Sequence, residues 1–178
     1  MSWILTARGK HFSYLDPRAE DIDILDIAQA LANEPRFGGH TRHFYSVAQH
    51  SWLASQIVPI EHALEALLHD GHEAYYKDIP TPLKDLLPDY RELEDRGAGA
   101  VRAAFGLPLT MSQVVKRADL ILLATERRDL MPADDTPWQI LEGIDPLPRR
   151  ITAMQPARAQ AIFLKRYIEI TTHLRRAA

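Results

Sequence analysis

The sequence predicts an all-α fold: a single compact helical bundle spanning residues 1–178, with a short N-terminal β-hairpin as the one expected exception. Three observations predict it. Apolar residues recur every three or four positions in segment after segment, which is the period of a buried helix face. The breaks between those segments fall at prolines and glycines. Apolar residues make up 46% of the chain and charged residues 25%, the balance of an ordinary globular protein.

The elements follow in order. Residues 2–16 (SWILTARGKHFSYLD) alternate loosely about Arg8-Gly9, which suggests the hairpin. From Asp21 the period lengthens: Ile24, Ile27, Ala28 and Leu31 share one face, and Pro35 ends that helix. The stretch PRFGGHTR reads as a loop. Residues 44–58 put Val47, His50, Ala54 and Ile57 on one side, and residues 61–76 read as a third helix with Ala63, Leu64, Leu67 and Leu68 inward. IPTPLKDLLP is a proline-punctuated connection. Two amphipathic helices follow over 89–105 and 111–131, separated by Gly106 and Pro108. After a proline-rich loop (132–148), residues 157–176 form the last helix, striped by Phe163, Tyr167, Ile170 and Leu174. Neither a repeat nor a low-complexity tract interrupts the chain.

Composition narrows the function. No apolar run approaches the roughly 20 residues of a membrane span, and MSWILTARGKHF lacks a signal-peptide layout. The sequence holds no cysteine, so thiolate catalysis, disulfides and sulfur-ligated zinc are excluded, and any metal must be held by His and carboxylates. These features suggest the cytoplasm. Net charge is 21 − 24 = −3, which argues against long nucleic acid as a partner but not against a single nucleotide. A homo-oligomer remains open.

Residues 67–82 read LLHDGHEAYYKDIPTP. An imidazole and three carboxylates crowd into ten residues beside an apolar pair, at a desolvation cost that only neutralisation would offset. At about 100° per residue, His69 and Asp70 flank one helix edge, with Glu73 one turn further along it. Two ligands are too few for a tight site. His50, on the apolar face of its helix, and Asp119, among Val115, Leu122 and Leu123, are each odd alone and complete a two-His, two-carboxylate set together. Singly, His50 reads as a core histidine bonded to a carbonyl, Asp119 as a helix-surface residue, and His69-Asp70 as a solvated edge. All four so placed read as a metal site. His62 and His72 read as helix-face residues outside it, His72 exposed.

The set His50, His69-Asp70 and Asp119 resembles the H…HD…D motif of the HD-domain metal-dependent phosphohydrolases, whose fold is an all-α bundle. The strings RFGGHTRHFYSVAQHS, LLHDGHEAYYKDIPTPLK and KRADLILLATERRDL resemble the small bacterial and phage branch. That branch includes the YfbR-like 5′-deoxynucleotidases and a phage dNTP phosphohydrolase. The resemblance covers residues 22–131. It implies that His50, His69, Asp70 and Asp119 are metal ligands, that Glu73 and Asp78 are catalytic acids, and that Arg36-Phe37 contacts the nucleotide. The implied cofactor is one divalent transition-metal ion (Mn, Co, Fe or Zn), with Mg accompanying substrate phosphates.

The expected function is divalent-metal-dependent hydrolysis of phosphate from a (deoxy)nucleotide, as a 5′-nucleotidase on (d)NMP or as a dNTP phosphohydrolase. The chemistry needs charge at the phosphoryl oxygens, an activated water and a proton for the leaving oxygen. Glu73 is placed to orient or deprotonate the water, and Asp78 to hold it or assist the leaving oxygen. Lys84 can add a cation toward phosphate, Phe37 a flat surface for a base, and Gly38-Gly39 a close backbone approach. The alternatives are a phosphodiesterase or alarmone hydrolase of the same superfamily, and a non-catalytic metal-stabilised nucleotide-binding domain. Glu73 and Asp78 weigh against the last, because holding a metal requires neither.

Overall fold

The computed structural model describes residues 2–177. The chain opens with the hairpin: β1 (Trp3–Leu5) pairs antiparallel with β2 (His11–Ser13), Ile4 opposite Phe12. Gly9 turns the chain at φ +78°, a conformation that favours glycine. Phe12 faces inward and is fully buried, stacking on Tyr75 with ring centroids 4.0 Å apart. The rest is helical. Helix α1 (Ile24–Asn33) is capped by the Asp23 side chain accepting from Leu25 N–H. Helix α2 (Val47–Ala54) is capped in the same way by Ser46 accepting from Gln49 N–H, and a bridge between Pro35 and Ser46 sets its entry.

Four helical pieces follow: α3 (Ala63–Leu68), α4 (Glu73–Tyr76), α5 (Thr81–Lys84) and α6 (Pro88–Phe105). Gly106 ends α6 in the left-handed region. Ser112 caps α7 (Gln113–Leu130), and α8 (Pro156–Ala177) closes the fold. The order of elements agrees with the sequence pattern, with three differences. Residues 61–76 form two short helices rather than one. The expected connection 81–84 is a helical turn, and residues 36–39 of the expected loop form a 3-10 turn with Phe37 at φ +57°.

The break between α3 and α4 has a visible cause. Gly71 N–H bonds Leu68 O and Glu73 N–H bonds Asp70 O, so the backbone tightens from four-residue to three-residue bonds. A Cβ on Gly71 would lie 3.0 Å from both Leu68 O and Val101 Cγ1, so α6 crosses tightly against this turn. Periodicity cannot reveal such a close crossing.

The main core joins α1, α2, α3, α4 and α8 around Ile27, Leu31, Val47, Leu67, Phe163 and Ile170. A second apolar cluster, Ala54, Ala66, Val115 and Leu122, fastens α7 to α2 and α3. Helices α2 and α3 therefore pack on both α8 and α7, which brings His50, His69 and Asp119 together. Among the described residues no helix is long and apolar enough to cross a membrane.

Candidate metal and catalytic site

Helix α2 carries His50, the turn after α3 carries His69 and Asp70, and α7 carries Asp119. Their polar atoms converge. The two Nε2 atoms are 3.3 Å apart, Asp119 Oδ1 is 3.1 Å from His50 Nε2, and Asp70 Oδ2 is 3.2 Å from His69 Nε2. The cross distances are 3.6 Å for His50 to Asp70 and 3.9 Å for His69 to Asp119. Both imidazoles are buried, while the Asp119 side chain is 37% exposed, so Asp119 stands on the open side rather than inside the apolar stripe.

Hydrogen bonding fixes which nitrogens are free. His69 Nδ1 lies 2.8 Å from Ala66 O, which can only accept, so Nδ1 donates. His50 Nδ1 lies 2.6 Å from Glu126 Oε1. Glu126 is fully buried; burial raises its carboxyl, but Arg36 and His50 outweigh that and hold it below the usual range. As an ionised carboxylate it accepts from His50 Nδ1 and from the Tyr45 hydroxyl at 2.8 Å. In both neutral rings the remaining lone pair therefore sits at Nε2, facing the other ring and two carboxylates. Four acceptors facing one another need a cation or protons between them. Burial opposes the charged form of His69, yet Asp70 and Asp119 raise it well above the ordinary imidazole value. Burial and Arg36 also oppose charge on His50, and Glu126 and Asp119 overcome them. Protons and a divalent ion would compete for these nitrogens. A His-carboxylate set with Nδ1 locked from behind fits a first-row transition ion.

The remaining expected residues lie around this cluster. Glu73, at the start of α4, is buried; its Oε1 is 3.8 Å from Lys84 Nζ and its Oε2 has no partner among the described residues. Burial, then the charges of Asp70 and Asp78, push its carboxyl well up. Asp78 lies just after α4, half-buried; burial also raises it, against Arg36, with Asp70 adding. Phe37 is half-buried, its ring centroid 5.3 Å from Arg36 Cζ. Arg36 itself is not an outward-facing loop residue. Its guanidinium is buried, 3.2 Å from Glu126 and 3.5 Å from Asp70.

Lys84 is held by a hydrogen bond to Glu94 Oε1, and His72 Nε2 lies 3.4 Å from the same oxygen. His72, expected to be exposed, therefore sits largely inside, because α6 brings Glu94 over it. His72, Glu73 and Glu94 form a second group with ligand-like spacing. There the Lys84 ammonium, bonded to Glu94 and 3.8 Å from Glu73, already supplies the cation. Sequence reading missed Glu126, Tyr45 and Glu94. Glu126 had a signal: it lies four residues after Leu122 on the same helix face, an apolar one where a carboxylate needs a partner.

No family model matches the chain. It is 50% identical over 179 residues to the uncharacterized protein YfdR of Escherichia coli (strain K12), a match that spans all of both chains. It is 38% identical over 127 residues to an uncharacterized protein of Rhodobacter capsulatus, 66% of this chain and 65% of the relative. The chain thus belongs to the family of Escherichia coli YfdR.

Proposed function

We propose that this chain is a divalent-metal-dependent phosphohydrolase that releases phosphate from a (deoxy)nucleotide. One observation carries the reading: two buried Nε2 lone pairs and two carboxylates from three separate elements meet within 3.9 Å, with acid groups beside them that no ligand role explains. The motif resemblance supports the substrate class. His50, His69, Asp70 and Asp119 would hold Mn, Fe, Co or Zn. Such an ion, when bound, supplies positive charge to the phosphoryl oxygens and acidifies water.

The chain's own groups carry the protons. Hydrolysis forms a bond from water oxygen to phosphorus and breaks the bond to the leaving oxygen. Water gives up a proton and the leaving oxygen takes one. Glu73 has a buried Oε2 with no partner among the described residues, which leaves it free to accept the water proton. Asp78, whose carboxyl burial raises, assists the leaving oxygen. Arg36 keeps Glu126 ionised and pairs with Asp70, and Phe37 presents a ring to the base.

The test is a phosphate-release screen over all NMPs, dNMPs, NTPs and dNTPs with Mn²⁺, Co²⁺, Zn²⁺ and Mg²⁺, run beside Asp119→Asn. The expected result is ion-dependent release from one nucleotide class, lost in the variant. Protein that carries a stoichiometric ion yet releases no phosphate from any nucleotide would sink the reading.

A further inference from the structure

Lys77 ends α4 with φ +79° and ψ 151°, a backbone combination that residues other than glycine rarely adopt. Its side chain is 53% exposed and needs no such conformation. The surroundings impose it. Lys77 N–H donates to Glu73 O at 2.9 Å. The Tyr90 hydroxyl donates to Tyr76 O at 2.8 Å, with Lys77 O 3.1 Å away. Ile79 N–H reaches back to Lys77 O at 3.1 Å, closing a three-residue turn centred on Asp78. The Glu34 carboxylate completes the arrangement. Its Oε2 accepts from Lys77 Nζ at 2.9 Å and its Oε1 from the Asp78 N–H at 3.3 Å.

Glu34 is also tied to the metal-ligand side. Its carbonyl accepts from Val47 N–H at 3.0 Å, at the first residue of α2, three residues before His50. One residue therefore joins the start of the His50 helix to the peptide that presents Asp78. We infer that Glu34 is a positioning residue for Asp78. With the left-handed Lys77, it sets the Asp78 carboxyl at a fixed place relative to the His50, His69, Asp70 and Asp119 cluster. The inference rests on the phosphohydrolase reading for its consequence in turnover, and on geometry alone for the clamp.

Four variants test it: Glu34→Ala, Glu34→Gln, Asp78→Asn and the double change Glu34→Ala with Asp78→Asn. Glu34→Ala is expected to lower kcat by about tenfold to a hundredfold at unchanged KM, the scale of a misplaced catalytic group. Glu34→Gln keeps an acceptor for the Asp78 N–H and should recover most of the loss. In the Asp78→Asn background, Glu34→Ala should cost nothing more, because it acts only through Asp78. A second readout needs no activity: in metal-free protein, Glu34→Ala should speed hydrogen exchange at the Asp78 amide and Glu34→Gln should not. An equal fold-loss with and without the Asp78 carboxylate, or an unchanged Asp78 amide, overturns the inference. A wild-type protein without phosphohydrolase activity overturns the function instead, and the exchange comparison still decides whether Glu34 holds Asp78.

Discussion

Glu126 shows how one buried residue can govern a site it never faces. Its Oε1 receives His50 Nδ1 and Tyr45, and its Oε2 lies beside Arg36. The carboxylate therefore fixes both the tautomer and the orientation of His50. Partners of this kind typically change metal affinity by about 10- to 100-fold when altered. Glu126→Gln is near in shape but loses the negative charge and presents an amide group that can turn a donor toward His50. Metal-stripped variant titrated by calorimetry should bind Mn²⁺ or Co²⁺ about 10- to 100-fold more weakly than wild type, with unchanged far-ultraviolet circular dichroism. Equal affinity would reduce Glu126 to packing. At this scale the clustering of His50, His69, Asp70 and Asp119 was legible in the sequence only as a set, since each of the four has an ordinary reading alone. Glu126, Glu34 and Glu94 escaped because their partners lie at sequence distances no period encodes.

Helices were the most legible level, because each long one carries a broad apolar face and a stop signal. What periodicity could not supply is the distance at which helices cross, and glycines record that here. Gly97 and Gly99 sit two residues apart in α6 with opposite surroundings. A Cβ at Gly97 would lie 2.1 Å from Tyr76 Cε2, and that ring is held by its hydroxyl bond to Tyr14 O and by contact with Phe12 and Tyr14. At Gly99 nothing lies within 4 Å. Gly97→Ala should therefore destabilise by about 1–3 kcal/mol through overpacking. Gly99→Ala should stabilise by about 0.5–1 kcal/mol through helix propensity and reduced unfolded-state entropy. Thermal melts of the two variants should move in opposite directions, at roughly 2–4 °C per kcal/mol for a chain of this size. A shift of the same sign would show that Tyr76 yields. The α3–α4 break belongs to the same class: Gly71 under Val101 reads in sequence as one more helical residue.

For the whole molecule, the candidate site joins elements that lie far apart in the sequence. His50 belongs to α2, His69 and Asp70 to the turn after α3, and Asp119 to α7, and the apolar contact of α7 with α2 and α3 centres on the small cluster Ala54, Ala66, Val115 and Leu122. Without an ion, Asp70, Asp119 and Glu126 face one guanidinium and two imidazoles that must stay protonated against burial. An ion bound only in the folded state stabilises by RT ln(1 + [L]/Kd), about 2.7 kcal/mol at a hundredfold excess over Kd. At roughly 2–4 °C per kcal/mol, chelation should lower Tm by about 5–10 °C. Replacing Asp119 with Asn keeps the shape of the residue on the open side of the cluster but weakens the ligand set. Its melt should respond much less to chelator or added Mn²⁺, whereas an exposed substitution such as Lys165→Gln should leave the full response intact. An identical wild-type Tm with and without chelator would mean that α7 docks without help from the site, and that no ion binds strongly enough to matter to the fold.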